Sequence, residues 1–110
     1  MLKQRRDANE PLIVEALQHA GAHVIRMDKS AGFDLLVISP RGVNLVEVKD
    51  PSQRWTLTEN EARVKRAVEL AGGSYYIVET VEEALGLAMN DTPVILHILS
   101  KEVRGELQPC

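Results

Sequence analysis

Three charged residues interrupt two apolar segments in the middle of this 110-residue sequence. Asp34 stands directly before the segment 35–38, whereas Glu47 and Lys49 alternate with valines at the end of the segment 43–48. Side chains alternate between the two faces of a strand, so Glu47 and Lys49 would share one face. Carboxylates and an ammonium gathered in this way can bind a divalent cation and act on a phosphate ester.

The turn at residues 39–42 decides how the two segments face each other. Apolar segments split by Pro and Gly are typical of an antiparallel hairpin. A two-residue loop at 40 and 41 pairs residues whose numbers sum to 81 and puts Asp34 opposite Glu47, with α-carbons about 4.5–5.5 Å apart. A three-residue turn shifts the sum to 82 and moves Asp34 to the other face, unless a bulge restores the contact. The sequence is compatible with both registers.

A bound cation would explain two facing carboxylates, which resist joint ionisation without a compensating charge. Mg²⁺ suits such a pair, because it commonly takes one or two carboxylates together with water and substrate phosphate. Lys49 could orient an attacking water or stabilise charge on a phosphoryl oxygen. The alternative is a surface ion pair between Lys49 and Glu47 or Asp34, worth about 0–1 kcal/mol.

Helix caps and hydrophobic spacing predict the elements that position these residues. A first helix should run from about Asn9 to Gly21, capped by Asn9 or Glu10, with an inward stripe of Leu12, Ile13, Ala16, Leu17 and Ala20. A strand at 23–29 leads into the hairpin. Thr58 and Glu61 form a capping box for a second helix to about residue 71, followed by a strand at 74–79 and a helix at 81–89. Residues 91–110 fit a further helix or an extra strand.

Length and composition indicate one domain over residues 1–110, with a core at about 8–90 and an extension at 91–110. Net charge is −3, which counts against tight non-specific binding to nucleic acid. The basic residues Lys3, Arg5 and Arg6 are explained by a solvated terminus or by phosphate contact. The single cysteine, Cys110, excludes an intrachain disulfide and suits a reducing cytoplasm. No signal peptide or membrane span is predicted.

The order of these motifs resembles that of a known nuclease family. An acidic residue opens the first helix at Glu10, Gly-x-Asp ends at Asp34, and Val-Glu-Val-Lys ends at Lys49, before a second helix and a Gly-Gly pair. This arrangement resembles the PD-(D/E)xK nuclease superfamily, most closely its small stand-alone VRR-NUC domain nucleases of phages and bacteria. The resemblance covers about residues 8–80. The family usually has proline where this chain has Phe33 and often glutamine where it has Glu61.

The resemblance implies an α/β fold with a restriction-endonuclease-like αβββαβ core, a central mixed sheet flanked by helices. It also implies a Mg²⁺-dependent DNA endonuclease in which Mn²⁺ can replace Mg²⁺. Asp34, Glu47 and the Val48 carbonyl would hold the metal, Lys49 would assist the water, and Glu10 could complete a second metal site. The helix dipole alone also accounts for Glu10. Homodimers acting on branched DNA, as junction resolvases do, are a further expectation from the resemblance.

Three residues are candidates for DNA contact. Trp55, the only tryptophan, follows Arg54 in the loop that leaves Lys49. Trp55 could stack on a base or wedge a junction while Arg54 contacts phosphate, or Trp55 could cap the edge of the core. Lys65, with Arg63 and Arg66, is expected to face outward from the second helix and could line a DNA path, although a solvated helix face explains all three.

Two other functions stay open at this point. A nuclease-fold module could bind nucleic acid or a protein partner without cleaving, and a plain α/β interaction domain could carry the charged hairpin by chance. Metal dependence separates the nuclease from both, and DNA binding separates the module from the interaction domain.

Overall fold

A computed structural model describes the backbone of residues 8–107 and the side chains of residues 8–101; Lys3, Arg5, Arg6 and Cys110 lie outside these ranges. The elements follow in the order α1 (Glu10–His19), β1 (His23–Arg26), β2 (Leu35–Ser39), β3 (Gly42–Val48), α2 (Glu59–Leu70), β4 (Tyr75–Val78), α3 (Val81–Ala88) and α4 (Thr92–Leu107). The predicted αβββαβ core is confirmed. Of the two interpretations of the segment from 91, the helical one is right.

The four strands form one mixed sheet in the order β1-β2-β3-β4. β1 and β2 are antiparallel, as are β2 and β3, because short connections join them. β3 and β4 are parallel, since α2 carries the chain back to the starting edge, as the strand–helix–strand pattern predicted. The predicted mixed sheet flanked by helices is therefore present.

The hairpin between β2 and β3 uses the two-residue loop. Ser39 pairs with Gly42 and Leu35 with Val46, so paired residue numbers sum to 81. Gly42 has φ +140°, a backbone angle that side chains disfavour. Asp34 precedes β2, and its N–H donates to the Val46 carbonyl at 3.1 Å, one residue out of the ladder's register. The strand ladder therefore ends at Leu35 and releases Asp34 from regular pairing.

Each face of the sheet has a separate helix cover. Leu35, Val37, Val46 and Val48 belong to the buried cluster formed with α1, α3 and α4. The opposite face carries Glu47 beside Ile77, its partner in β4, and α2 contacts β4 there. Alternation along β3 thus directs two valines into the main core and Glu47 towards α2.

Two expectations about the first half of the chain are wrong in detail. In α1, Leu12 is 60% exposed and Val14 is buried, because the buried stripe follows Ile13, Val14 and Leu17. The first strand ends at Arg26 rather than 29, since a 3₁₀ turn at Lys29–Ala31 follows. Asp28 stabilises that turn by accepting from the Ser30 amide and hydroxyl. Among residues 8–107, no helix has the length and hydrophobicity that crossing a bilayer requires.

Candidate active site

The carboxyl ends of β3 and β4 meet the first turns of α1 and α2 at one end of the sheet. The Lys49 amide donates to the Val78 carbonyl at 3.0 Å, which continues the parallel pairing past β3. The Asn9 side chain, at the start of α1, donates to the Lys49 carbonyl at 3.1 Å. Lys49 Nζ donates to Glu61 Oε1 of α2 at 3.0 Å. Lys49 therefore lies at the junction of three elements.

Asp34 reaches the end of β3 from the start of β2. Its Oδ2 accepts a hydrogen bond from the Val48 amide at 2.8 Å, so the carboxylate replaces a backbone acceptor there. The charge of Asp34 also raises the pKa of Glu47. The two-residue loop is present and the charge of Asp34 acts on Glu47, but Asp34 is one residue out of register and is not paired directly opposite Glu47.

Glu47 is only 3% exposed. Burial raises its pKa to about 10, and the Asp34 charge and the hydrogen bond and charge of Glu61 add to this effect, while Lys49 opposes it. Without a bound cation, Glu47 therefore carries a proton at neutral pH. The proton compensates a cluster in which carboxyl groups outnumber the nearby ammonium.

Lys49 is held between two carboxyl groups rather than in a surface ion pair. Its Nζ lies 3.0 Å from Glu61 Oε1 and 3.4 Å from Glu47 Oε2, and its side chain is only 14% exposed. Burial alone would lower the pKa of Lys49, but the interactions with Glu47 and Glu61 outweigh burial and raise it. Because Glu47 is protonated, we assign Glu61 as the anion paired with Lys49.

Glu61 has two roles, of which sequence reasoning found one. It completes the capping box of α2, since Thr58 N donates to Glu61 Oε1 at 3.0 Å and Glu61 N to Thr58 Oγ1 at 3.1 Å. Burial would raise its pKa, but hydrogen bonds from Glu47, Thr58 and Lys49 lower it. The cap therefore holds an ionised carboxylate against Lys49.

Glu10 is buried in the first turn of α1, and its Oε2 lies 3.5 Å from Arg26 Nε. Arg26 shares a sheet face with Val24, which packs on the main core, whereas Glu47 points to α2. Glu10 is thus at the same end of the sheet as Lys49 but beside β1. Its part in metal binding stays a prediction.

Asn9 makes no side-chain cap hydrogen bond to α1, so its predicted capping role is wrong.

The candidate DNA contacts differ in exposure. Arg54 is exposed, whereas Trp55 is half-buried and its Nε1 donates to Glu79 Oε2 at 2.8 Å. Lys101 Nζ of α4 lies 2.6 Å from both Glu79 and Glu83. Burial would raise the pKa of Glu79, but hydrogen bonds from Lys101 and Trp55 lower it. An ionised Glu79 therefore anchors the loop that displays Arg54, and contact of Arg54 and Trp55 with DNA stays a prediction.

Lys65 does not face outward as expected. It is 6% exposed, and its Nζ lies 3.0 Å from Glu69 Oε2 one helical turn further along α2. The cause is helical spacing: Glu61 is turned towards Lys49, and Lys65, four residues on, shares that inward face. A contact between Lys65 and DNA stays a prediction, and it would require the side chain to leave its buried position.

Within residues 8–101, no three His, Cys, Asp or Glu side chains are grouped so that they could hold a metal ion. Asp34 and Glu47 still suit Mg²⁺, which commonly uses one or two carboxylates and keeps several waters. Burial, followed by the charge of Asp34, raises the pKa of Glu47 and so disfavours its ionised form in the absence of a cation. A divalent cation could take the place of the Glu47 proton.

The architecture has a counterpart among solved structures. A structure described as a VRR_NUC domain aligns with 78% of this chain and 99% of its own chain, with a TM-score of 0.59 and 22% sequence identity. The chain has the VRR-NUC fold. The fold that the motifs predicted is therefore confirmed. The sequence itself matches no protein-family model and none of the curated proteins compared with it.

The sequence did not predict that two further residues, Asn9 and Glu79, lie at the candidate active site. The sequence predicts a helix cap at Asn9 and the end of a strand at Glu79, yet the Asn9 side chain binds the Lys49 and Glu79 carbonyls, where β3 and β4 end. An acidic residue directly after a buried strand, as Glu79 is, could have signalled the position, because sites in sheets with parallel strands gather at their carboxyl ends.

Proposed function

We propose that this protein is a Mg²⁺-dependent DNA endonuclease that hydrolyses phosphodiester bonds. The observation that carries the proposal is the meeting of Asp34, Glu47 and Lys49 at one sheet end, through the 2.8 Å bond to the Val48 amide and the 3.4 Å contact between Glu47 and Lys49. The VRR-NUC fold supports it, and these three residues are the ones by which the sequence resembles the nuclease family. Mn²⁺ should replace Mg²⁺.

In the proposed reaction, the carboxylates of the site bind the metal, and Lys49 orients or stabilises the reacting groups. Asp34, Glu47 and the Val48 carbonyl would hold the metal, with Glu10 a candidate for a second ion. A bound Mg²⁺ supplies a water of lowered pKa and neutralises charge on the phosphoryl group. Lys49 orients the attacking water or stabilises the phosphoryl oxygen. Glu61 keeps the Lys49 ammonium charged and in place.

DNA would approach along the loop 50–57, where Arg54 is exposed and can contact phosphate. Trp55 would support that loop through Glu79 and could offer its ring to a base. Because the sequence resembles nucleases that act as junction resolvases do, we propose a homodimer that presents two sites to two strands of branched DNA.

The test is cleavage of labelled linear, nicked, flap and four-way-junction DNAs with Mg²⁺, Mn²⁺ or EDTA. Lys49→Ala and Glu47→Ala should each abolish metal-dependent cutting, and the junction should be cut faster than linear DNA. Glu82→Ala, which removes an exposed carboxylate on α3, is the matched control and should cut like the wild type.

Two outcomes would redirect the proposal. If the folded wild type cuts none of these DNAs with either metal, the chain is instead a nuclease-fold module that binds nucleic acid or a protein partner. Equal cutting by Glu47→Ala and wild type would place the active site elsewhere. Sedimentation equilibrium with and without the junction tests the proposed homodimer, and a monomer in both conditions would contradict it.

A further inference from the structure

One side-chain amide joins three segments at the end of the sheet that carries the candidate site. Asn9 Nδ2 donates to the Lys49 carbonyl at 3.1 Å and to the Glu79 carbonyl at 2.8 Å. Lys49 and Glu79 directly follow Val48 and Val78, the last paired residues of β3 and β4. The amide therefore ties the two strands together beyond their last pair.

Asn9 stands at the N-cap of α1, where asparagine normally accepts a hydrogen bond from its own helix, worth about 1 kcal/mol. Here it makes no such bond, and its φ of −81° and ψ of −10° are helical rather than extended. Its amide instead binds carbonyls 40 and 70 residues away. A side chain diverted from its usual local bond points to a long-range role.

We infer that Asn9 is a positioning residue for the catalytic centre, an inference that rests on the proposed nuclease function. By holding the Lys49 carbonyl, Asn9 fixes the main chain from which the Lys49 ammonium reaches Glu61 at 3.0 Å. The same bonds fix the first turn of α1, and with it the adjacent Glu10, against the ends of β3 and β4. Asn9 acts through these residues and does not contact the substrate.

The two bonds require a group with two donor hydrogens. An asparagine NH₂ has one hydrogen for each carbonyl, whereas an aspartate of the same shape has acceptors only. Aspartate at this position would place a carboxylate oxygen against two carbonyl oxygens. Asn9 Oδ1 is buried without a hydrogen-bond partner among residues 8–101, so the NH₂ group makes every bond that the structure gives this side chain.

Three variants separate positioning from general stability. Asn9→Ser removes the bridge to the two carbonyls but keeps a small polar side chain at the start of α1. Asn9→Asp keeps the shape and reverses the hydrogen-bond polarity, and Asn9→Ala removes the polar group. Ser39→Ala is the matched control, because the Ser39 hydroxyl also ties the sheet to a carbonyl, that of Ala88.

The measurement is the single-turnover cleavage rate at saturating Mg²⁺ and DNA, well below each variant's unfolding temperature and corrected for the folded fraction. Asn9→Ser and Asn9→Ala should lose roughly 10- to 100-fold in rate, with DNA affinity almost unchanged, because a displaced Lys49 costs rate rather than binding. Asn9→Asp should be at least as slow, and Ser39→Ala should match the wild type. Wild-type rates in Asn9→Ser would overturn the inference, even if Asn9→Asp fails to fold.

A crystal structure of Asn9→Ser keeps this inference distinct from the proposed function. If wild-type protein cuts no DNA, the nuclease proposal fails, and the position of Lys49 then decides the role of Asn9. We expect the contact between Lys49 Nζ and Glu61 to open in the variant. An unchanged 3.0 Å contact would overturn the positioning role.

Discussion

At the scale of the residue, Glu47 shows how strongly a protein interior can change one carboxyl group. Its pKa rises from an ordinary 4.5 to about 10, chiefly through burial and then through the charges of Asp34 and Glu61. The folded chain therefore binds the Glu47 proton more tightly than the unfolded chain. The resulting stabilisation is complete below pH 4.5 and is lost as the pH rises towards 10.

Glu47→Gln removes this titration and should flatten the pH dependence of stability. In EDTA, the free energy of unfolding of the wild type should fall with pH more steeply than that of the variant, by up to about 1.4 kcal/mol per pH unit. Urea unfolding at pH 6, 7.5 and 9 measures the difference. Glu82→Gln, at an exposed position, should keep the wild-type slope. Parallel curves for wild type and Glu47→Gln would show that the Glu47 proton does not limit stability.

The site residues divide into those that sequence could predict and those that it could not. Asp34, Glu47 and Lys49 lie within one hairpin, so local alternation placed Glu47 and Lys49 on one face, and the two-residue turn was one of two that could bring Asp34 near them. The partners of Asn9 lie 40 and 70 residues away, and no local pattern reports such contacts. The contact of Glu61 with Lys49 was not predicted, because the capping box alone already accounted for a glutamate at this position.

At the scale of the element, the cap of α2 couples helix stability to the site. Thr58 and Thr80 both accept a hydrogen bond from the amide three residues on, so Thr58→Ala and Thr80→Ala should each cost about 1 kcal/mol of stability. Only Thr58 supports Glu61 and, through it, Lys49. Urea unfolding and cleavage assays should therefore show similar stability losses but a slower reaction for Thr58→Ala alone. Equal cleavage rates in the two variants would show that the Thr58 cap has no effect on the candidate active site.

The contact between α3 and α4 depends on a glycine. A Cβ on Gly86 would lie 2.5 Å from Val94 Cγ1, so α4 packs directly on the backbone of α3. Gly86→Ala should lower the free energy of unfolding by about 1–3 kcal/mol through overpacking, although alanine favours helix by about 1 kcal/mol. Thermal or urea unfolding measures the change. Val94→Ala in the same chain should recover most of the loss, and a Gly86→Ala variant more stable than wild type would contradict the close packing.

Elements were more predictable than their registers and boundaries. The apolar spacing of α1 and the capping box of α2 identified these two helices, because such signals lie within a few residues of each other. The hairpin register depended on one extra residue in the turn at 39–42, and both turns are allowed by Pro and Gly. The predicted exposure of Lys65 was wrong for a tertiary reason, since the contact between Glu61 and Lys49 set which face of α2 became buried.

At the scale of the whole molecule, net charge opposes the proposed partner. A chain of charge −3 should bind DNA weakly without metal, and the carboxylates around Glu47 add local repulsion. Replacing EDTA with Ca²⁺, which fills oxygen sites, should tighten binding about tenfold, or ~1.4 kcal/mol. Fluorescence anisotropy with a labelled junction measures this. Glu47→Gln should respond less to Ca²⁺ than Glu82→Gln, and equal responses would place the ion away from Glu47.

The link from Asn9 to the ends of β3 and β4 also bears on when the site forms. The hairpin with Asp34, Glu47 and Lys49 closes locally, whereas the contact between Asn9 and Glu79 must close a loop of 70 residues. Loop-closure entropy makes such a contact late in folding. During synthesis, Asp34, Glu47 and Lys49 therefore leave the ribosome before Glu79, whose carbonyl completes the link to Asn9. We expect DNA cleavage by the proposed nuclease to begin only when β4 has joined the sheet, which would protect nucleic acid near the ribosome from an incompletely folded chain.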